Sequence, residues 1–213
     1  VKIAKEAAKL GIELFVMDDG WFGKREDDNT GLGDWTSNEK KLGCTLKELS
    51  QKIISQGIQF GIWIEPEGIS EDSDLYRAHP EWVVKIPNRK PCLSRNQFVL
   101  DFSRKDVQDY MIKTISNIIK ESSASYIKWD FNRAICDKFT NALTADRQGE
   151  FSHRYVLGLY RVLEQLNNDF PEVLLEGCGG GGGRFDAGML YYTPQIWGSD
   201  NTDAIERLSI QYG

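Results

Sequence analysis

Histidine is nearly absent: the 213 residues contain two, His79 and His153. A Ser-His-Asp or Cys-His mechanism would have to rest on one of them. His79 sits in a loop segment, RAHPEW, and His153 near a helix start, so both read as bystanders. Cysteine is sparse too. Cys44, Cys92, Cys136 and Cys178 are scattered, without a C-x-x-C pair and far from either histidine. That argues against a structural zinc site and for the reduced thiols of a cytoplasmic protein. No stretch approaches the roughly 20 apolar residues that cross a bilayer, so no membrane partner is expected. Positive charge is not in excess: 26 Lys and Arg face 32 Asp and Glu, a net charge of −6. A net acidic surface repels phosphate backbones, which excludes general nucleic-acid binding. The glycine run 179–183 lacks both the G-K-[ST] ending of a phosphate loop and the helix and acidic residue of a dinucleotide fingerprint. Glycines there let a backbone approach a ligand closely.

What is present is the make-up of one globular domain, 40% hydrophobic and 27% charged. The pattern alternates. Helical spacing covers 1–10, 45–56, 104–120, 152–168 and 202–212, the third helix opening on Ser103 as N-cap. Apolar runs cover 12–17 and 58–64, and 126–130, 173–176 and 195–199 read as further strands. Strands of that kind, buried on both faces and separated by helices, predict an α/β fold with a parallel sheet. Residues 68–103 read as a long irregular stretch, of a length usually tied to function. Carboxylates recur where strands end: Asp18 and Asp19, Glu65 and Glu67, Asp130, Glu176, Asp200. That is the active-site edge of a (β/α)8 barrel, and five strands make the chain 1–213 a single-domain piece of one. A doubly wound open sheet is the alternative.

Two chemistries suit carboxylates at strand ends. A pair can cleave a glycosidic bond. Alternatively Asp18, Glu65 and Asp130 could hold Mg²⁺. Six tryptophans favour the first, because sugar rings present an apolar C–H face that stacks on aromatic rings. Trp82 and Trp129 read as packing residues, while Trp63 fits core or cleft. A non-catalytic carbohydrate-binding fragment is a third possibility.

Several segments together resemble the glycoside hydrolase family 36 α-galactosidases. They are MDDGWFG (17–23), GIWIEPE (61–67), LSRNQ (93–97), LDFSR (100–104), YIKWDFNR (126–133), LEGCGGGGGRFDAGMLYYTPQIW (175–197) and SDNTDAIERLSIQYG (199–213). The resemblance implies a retaining exo-glycosidase acting on galactose-containing oligosaccharides such as raffinose and melibiose, with no metal or organic cofactor. It implies Asp130 as nucleophile and Asp200 as acid/base, with Asp203 as the rival acid. Asp18, Asp19, Trp63, Arg95, Lys128, Asn132, Cys178 and Gly181 are then sugar-binding positions. Lys128 precedes Asp130 by two residues, so both side chains share one face of the strand. The resemblance also implies a homo-oligomeric parent whose first, seventh and eighth barrel strands and flanking β domains lie outside this chain, leaving the chain alone weakly active or inactive. A transglycosylase of the raffinose- or stachyose-synthase kind would share the same covalent intermediate.

Overall fold

A computed structural model describes residues 1–212; Gly213, the last residue of the 199–213 segment, lies outside them. The elements follow the chain as α1 (Lys2–Lys9), β1 (Leu14–Met17), α2 (Glu39–Leu42), α3 (Leu46–Ile54), β2 (Gln59–Ile64), β3 (Gly68–Ser70), α4 (Asp74–Ala78), β4 (Gln97–Val99), α5 (Lys105–Ser122), β5 (Tyr126–Trp129), α6 (Phe151–Asp169), β6 (Leu174–Gly177), α7 (Ala187–Tyr192), β7 (Gln195–Ile196) and α8 (Ala204–Tyr212). Five strands form one parallel sheet in the order β1-β2-β5-β6-β7. Every join within it is parallel, so all five C-terminal ends point to one edge.

The apolar runs account for the middle of the sheet. Phe60, Ile62 and Ile64 of β2, and Ile127 and Trp129 of β5, are all buried. Helices α3, α5 and α6 pack side by side in the helical layer. Their apolar stripes, Leu46 and Ile53, then Val107, Met111, Ile115 and Ile118, then Tyr155, Leu159, Val162 and Leu166, join the same core. Helix α3 starts on a reciprocal capping box: Glu48 N–H donates to Thr45 Oγ1, and Thr45 N–H donates to the Glu48 carboxylate. The outer elements differ. Ile3 of α1 and Leu10 at its C-cap, and Ile205 and Leu208 of α8, keep most of their surface exposed, between 67% and 82%.

Three expectations need correction. The 68–103 stretch is not irregular: β3 and β4 pair antiparallel within it, and α4 and a 3₁₀ turn at Pro80–Trp82 lie between them. Strands of three residues are too short for alternation to show. Ser103 does not cap α5. Its N–H and hydroxyl both donate to Asp101, and Arg104 occupies the cap position with its guanidinium on the Asp106 carboxylate and no side-chain cap bond. A carboxylate is the stronger acceptor and draws the serine inward. The last strand covers Gln195–Ile196, and α8 begins at Ala204.

Candidate active site

The parallel register aligns a row of side chains across the sheet: Trp63 of β2 beside Lys128 of β5, beside Glu176 of β6, beside Gln195 of β7. Just past this row the strands end and the acidic residues begin.

Asp130 follows β5 and is buried. Its Oδ2 accepts from the Trp63 indole N–H at 3.1 Å and from the Asn132 amide at 2.6 Å, and its Oδ1 accepts from Phe131 N–H at 2.9 Å. Cys178, the first residue after β6, is buried near this carboxylate. Burial and the neighbouring Asp130 carboxylate push its thiol up to about 12, so Cys178 stays neutral at physiological pH. Trp63 itself is buried. What it offers the site is a fixed N–H on Asp130.

A second group sits beside the first. Lys128 Nζ lies 3.7 Å from Asp18 Oδ2 and 4.7 Å from the centre of the Trp197 ring. Trp197 in turn donates its indole N–H to Asp200 Oδ1 at 2.8 Å. The two groups share one field: Lys128, Asp130 and Asp18 all act on Glu176, whose carboxyl is raised above its ordinary value mainly by burial. Asp19 takes three N–H contacts of 2.9 to 3.2 Å from Arg25, which is buried. Gly181, in the glycine run, adopts φ +85°, and a Cβ there would lie 3.2 Å from Ser199 Cα, beside Asp200. Arg95 is half-exposed, 3.9 Å from Asp28, and its charge reaches Glu65. Asp203 is occupied elsewhere: its Oδ1 accepts the N–H groups of Ile205 and Glu206 at the start of α8.

Several residues that support this arrangement were not among the catalytic and sugar-binding positions that the resemblance implies. Glu65 is fully buried; its carboxylate accepts Asn132 N–H at 2.7 Å and faces the Gln97 amide at 3.4 Å. Burial first, then the Asp130 charge, raise it to about 7. Glu67, also buried, takes the Trp129 indole, the Tyr155 hydroxyl and both Nη groups of Arg184. Arg133 holds the carbonyls of Cys92, Ser94 and Gln97, and so fixes the loop that carries Arg95. All four lie inside motifs already quoted, IEPE, NR and GGGGRFD; their charge and place within those motifs were the available signal. The Mg²⁺ arrangement gains nothing from the geometry: Asp130 and Glu65 spend their oxygens on N–H donors, and Asp18 faces a lysine. His79 stacks on Trp82 at 3.9 Å, away from the carboxylates.

The chain is thus of the α/β class that gathers its polar groups at the C-terminal edge of a parallel sheet. Comparison with known proteins gives the family. The melibiase family model matches residues 1–213, and the chain belongs to that family. It is 58% identical, over its full length, to the bifunctional alpha-galactosidase/sucrose kinase AgaSK of Mediterraneibacter gnavus, of which it covers 22%. Its fold matches the solved alpha-galactosidase of Lactobacillus brevis with a TM-score of 0.97 and 50% identity, over 99% of this chain and 28% of that one. A variant of the GH36 alpha-galactosidase AgaA of Geobacillus stearothermophilus, solved in complex with raffinose, matches with a TM-score of 0.96 and 54% identity, over 99% of this chain and 29% of that one. The chain thus spans between a fifth and a third of the length of these relatives.

Proposed function

We propose that the whole protein is a retaining exo-α-galactosidase that hydrolyses terminal α-linked galactose from oligosaccharides such as raffinose and melibiose. The observation that carries this is the Asp130 carboxylate, held by the donors of Trp63, Phe131 and Asn132 at the sheet edge. A carboxylate so fixed is preorganised for in-line attack. Asp130 attacks the anomeric carbon while the bond from that carbon to the leaving oxygen breaks, and Asp200 gives that oxygen its proton. Water then attacks the same carbon, Asp200 takes the water's proton, and the bond to Asp130 breaks. The Trp197 N–H on Asp200 Oδ1 leaves Oδ2 as the oxygen that carries the proton. Asp18, Asp19, Arg95, Lys128, Asn132, Cys178 and Gly181 surround the sugar, with Trp63 behind the nucleophile.

The parallel sheet reads best as an arc of a (β/α)8 barrel, the rest of which covers the exposed apolar faces of α1 and α8. On the same reading the whole protein is a cytoplasmic homo-oligomer, in keeping with its free cysteines. The test is to give the whole protein an aryl α-galactoside and follow the anomers by NMR. Retention releases α-galactose first. Release of β-galactose first would mean inversion, and binding without turnover would favour a carbohydrate-binding relic.

A further inference from the structure

Cys92 and Cys136 are far apart in sequence but meet on the surface. Both are exposed, and Cys92 N–H donates to Asp137 Oδ2 at 2.9 Å, which sets Cys92 beside the residue that follows Cys136. From the same segment, the Arg133 guanidinium donates to the Cys92 carbonyl. One cysteine stands at the head of the loop that carries Arg95, the other in the segment that follows Asn132 and Arg133. The remaining two cysteines are elsewhere: Cys178 is buried under Asp130, and Cys44 follows α2.

We propose that Cys92 and Cys136 form a reversible disulfide that ties the Arg95 loop to the segment behind the Asp130 carboxylate. The oxidant is a low-molecular-weight disulfide, RSSR. One protein thiolate attacks a sulfur of RSSR, forming a mixed disulfide and releasing the first RS⁻, which takes up the proton the attacking thiol gave to solvent. The second protein thiol, deprotonated in turn, attacks the protein-bound sulfur of that mixed disulfide, forming the Cys92–Cys136 bond and releasing the second RSH. Two protein thiols are oxidised and one external disulfide is reduced to two thiols. The second step is intramolecular, between segments already held together by the bond from Cys92 N–H to Asp137 Oδ2. The neighbouring Cys136 and desolvation raise the Cys92 thiol, so the exchange quickens as pH rises above neutrality.

The experiment incubates the whole protein with glutathione disulfide, traps remaining thiols by alkylation, and maps the peptides without reduction. The expected product is one cross-linked peptide joining Cys92 to Cys136, lighter by two hydrogens than the sum of the reduced peptides and abolished by dithiothreitol. Cys92→Ser and Cys136→Ser should each convert it to a persistent glutathione adduct on the remaining cysteine. Separate glutathione adducts on Cys92 and Cys136 in the unaltered protein would overturn the proposal, and so would two cysteines that stay reduced while RSSR is in excess. The peptide map does not depend on the reaction proposed above, so the two readings can fail separately.

Discussion

Arg184 meets Glu67 end-on, Nη1 on Oε1 and Nη2 on Oε2, the second contact at 2.7 Å. Glu67 is fully buried, and Arg184 also lies over the Phe131 ring at 4.2 Å. The pair therefore joins the glycine run, the turn after β2 and the residue next to Asp130. Two charges taken from water are a poor source of net stability, but removing one leaves the other buried and unpaired. Glu67→Gln should lower the unfolding free energy of this domain by about 3–5 kcal/mol, read from the denaturant midpoint of the whole protein. A loss under about 1 kcal/mol, the size expected of an exposed pair, would contradict the buried geometry.

Glu65 gives the site a pH dependence with a definite sign. The native state holds its proton up to about 7, whereas an unfolded chain releases it near the ordinary 4.5. Between those values the native state binds more protons. Its contribution is complete below 4.5 and is lost as pH rises through 7, on the order of 3 kcal/mol in all. Glu65→Gln cannot ionise, so its stability should stay flatter than wild type across that window in a pH series of melting temperatures. The Gln97 carbonyl oxygen, which has no partner, can accept the new amide once the Gln97 side chain turns over. If both proteins show the same slope, Glu65 is not the titrating group.

The sheet was legible because largely apolar segments at β1 and β2 alternate with helical spacing along the chain, and the site edge because carboxylates recur at strand ends. The antiparallel pair β3–β4 was not, since Gly-Ile-Ser and Gln-Phe-Val have no period to detect. Ser103 was misread because helix-cap preference is local, while the Asp101 carboxylate beside it competes for the same hydroxyl. The Asp130, Lys128 and Asn132 cluster was readable as a motif. The Arg184–Glu67 pair was not, because nothing local couples residues so distant in sequence. The same holds for Cys92 and Cys136.

Asp203 and Asp200 are close in sequence but separable by experiment. Asp203 Oδ1 accepts two backbone N–H groups at 3.0 Å and acts as a helix cap. Asp203→Ala should cost about 1 kcal/mol of stability and leave most of kcat/KM for an aryl galactoside. Asp200→Asn should keep the fold and lower kcat about 10²–10⁴-fold. Equal losses of activity in both variants would restore Asp203 as a rival acid.

Gly183 tests how tightly the glycine run is folded. A Cβ there would lie 2.3 Å from the Gly179 carbonyl oxygen, a clash with backbone that no rotamer relieves. Gly179 N–H also closes on Gly181 O at 2.9 Å, so the run has little room to shift. Gly183→Ala should raise KM for the sugar and lower the melting temperature together. An unchanged KM would mean that the run does not contact substrate.

The roles of Asp130 and Asp200 separate by product stereochemistry. In a retaining enzyme the nucleophile and the acid/base lie on opposite faces of the anomeric carbon. Asp130→Gly removes the carboxylate that Trp63 and Asn132 hold, and leaves a space on the β face. Azide entering there should displace the aryl group of an activated α-galactoside and yield β-galactosyl azide. Asp200→Gly leaves the nucleophile intact, so the galactosyl–Asp130 ester forms and azide attacks it from the α face, yielding α-galactosyl azide. NMR of the isolated azides distinguishes the two. A β-azide from Asp130→Gly and an α-azide from Asp200→Gly assign both residues independently of any rate. The reverse pattern would exchange the roles, and rescue of neither would remove the pair from the chemistry, leaving Asp130 as a carboxylate that binds sugar without attacking it.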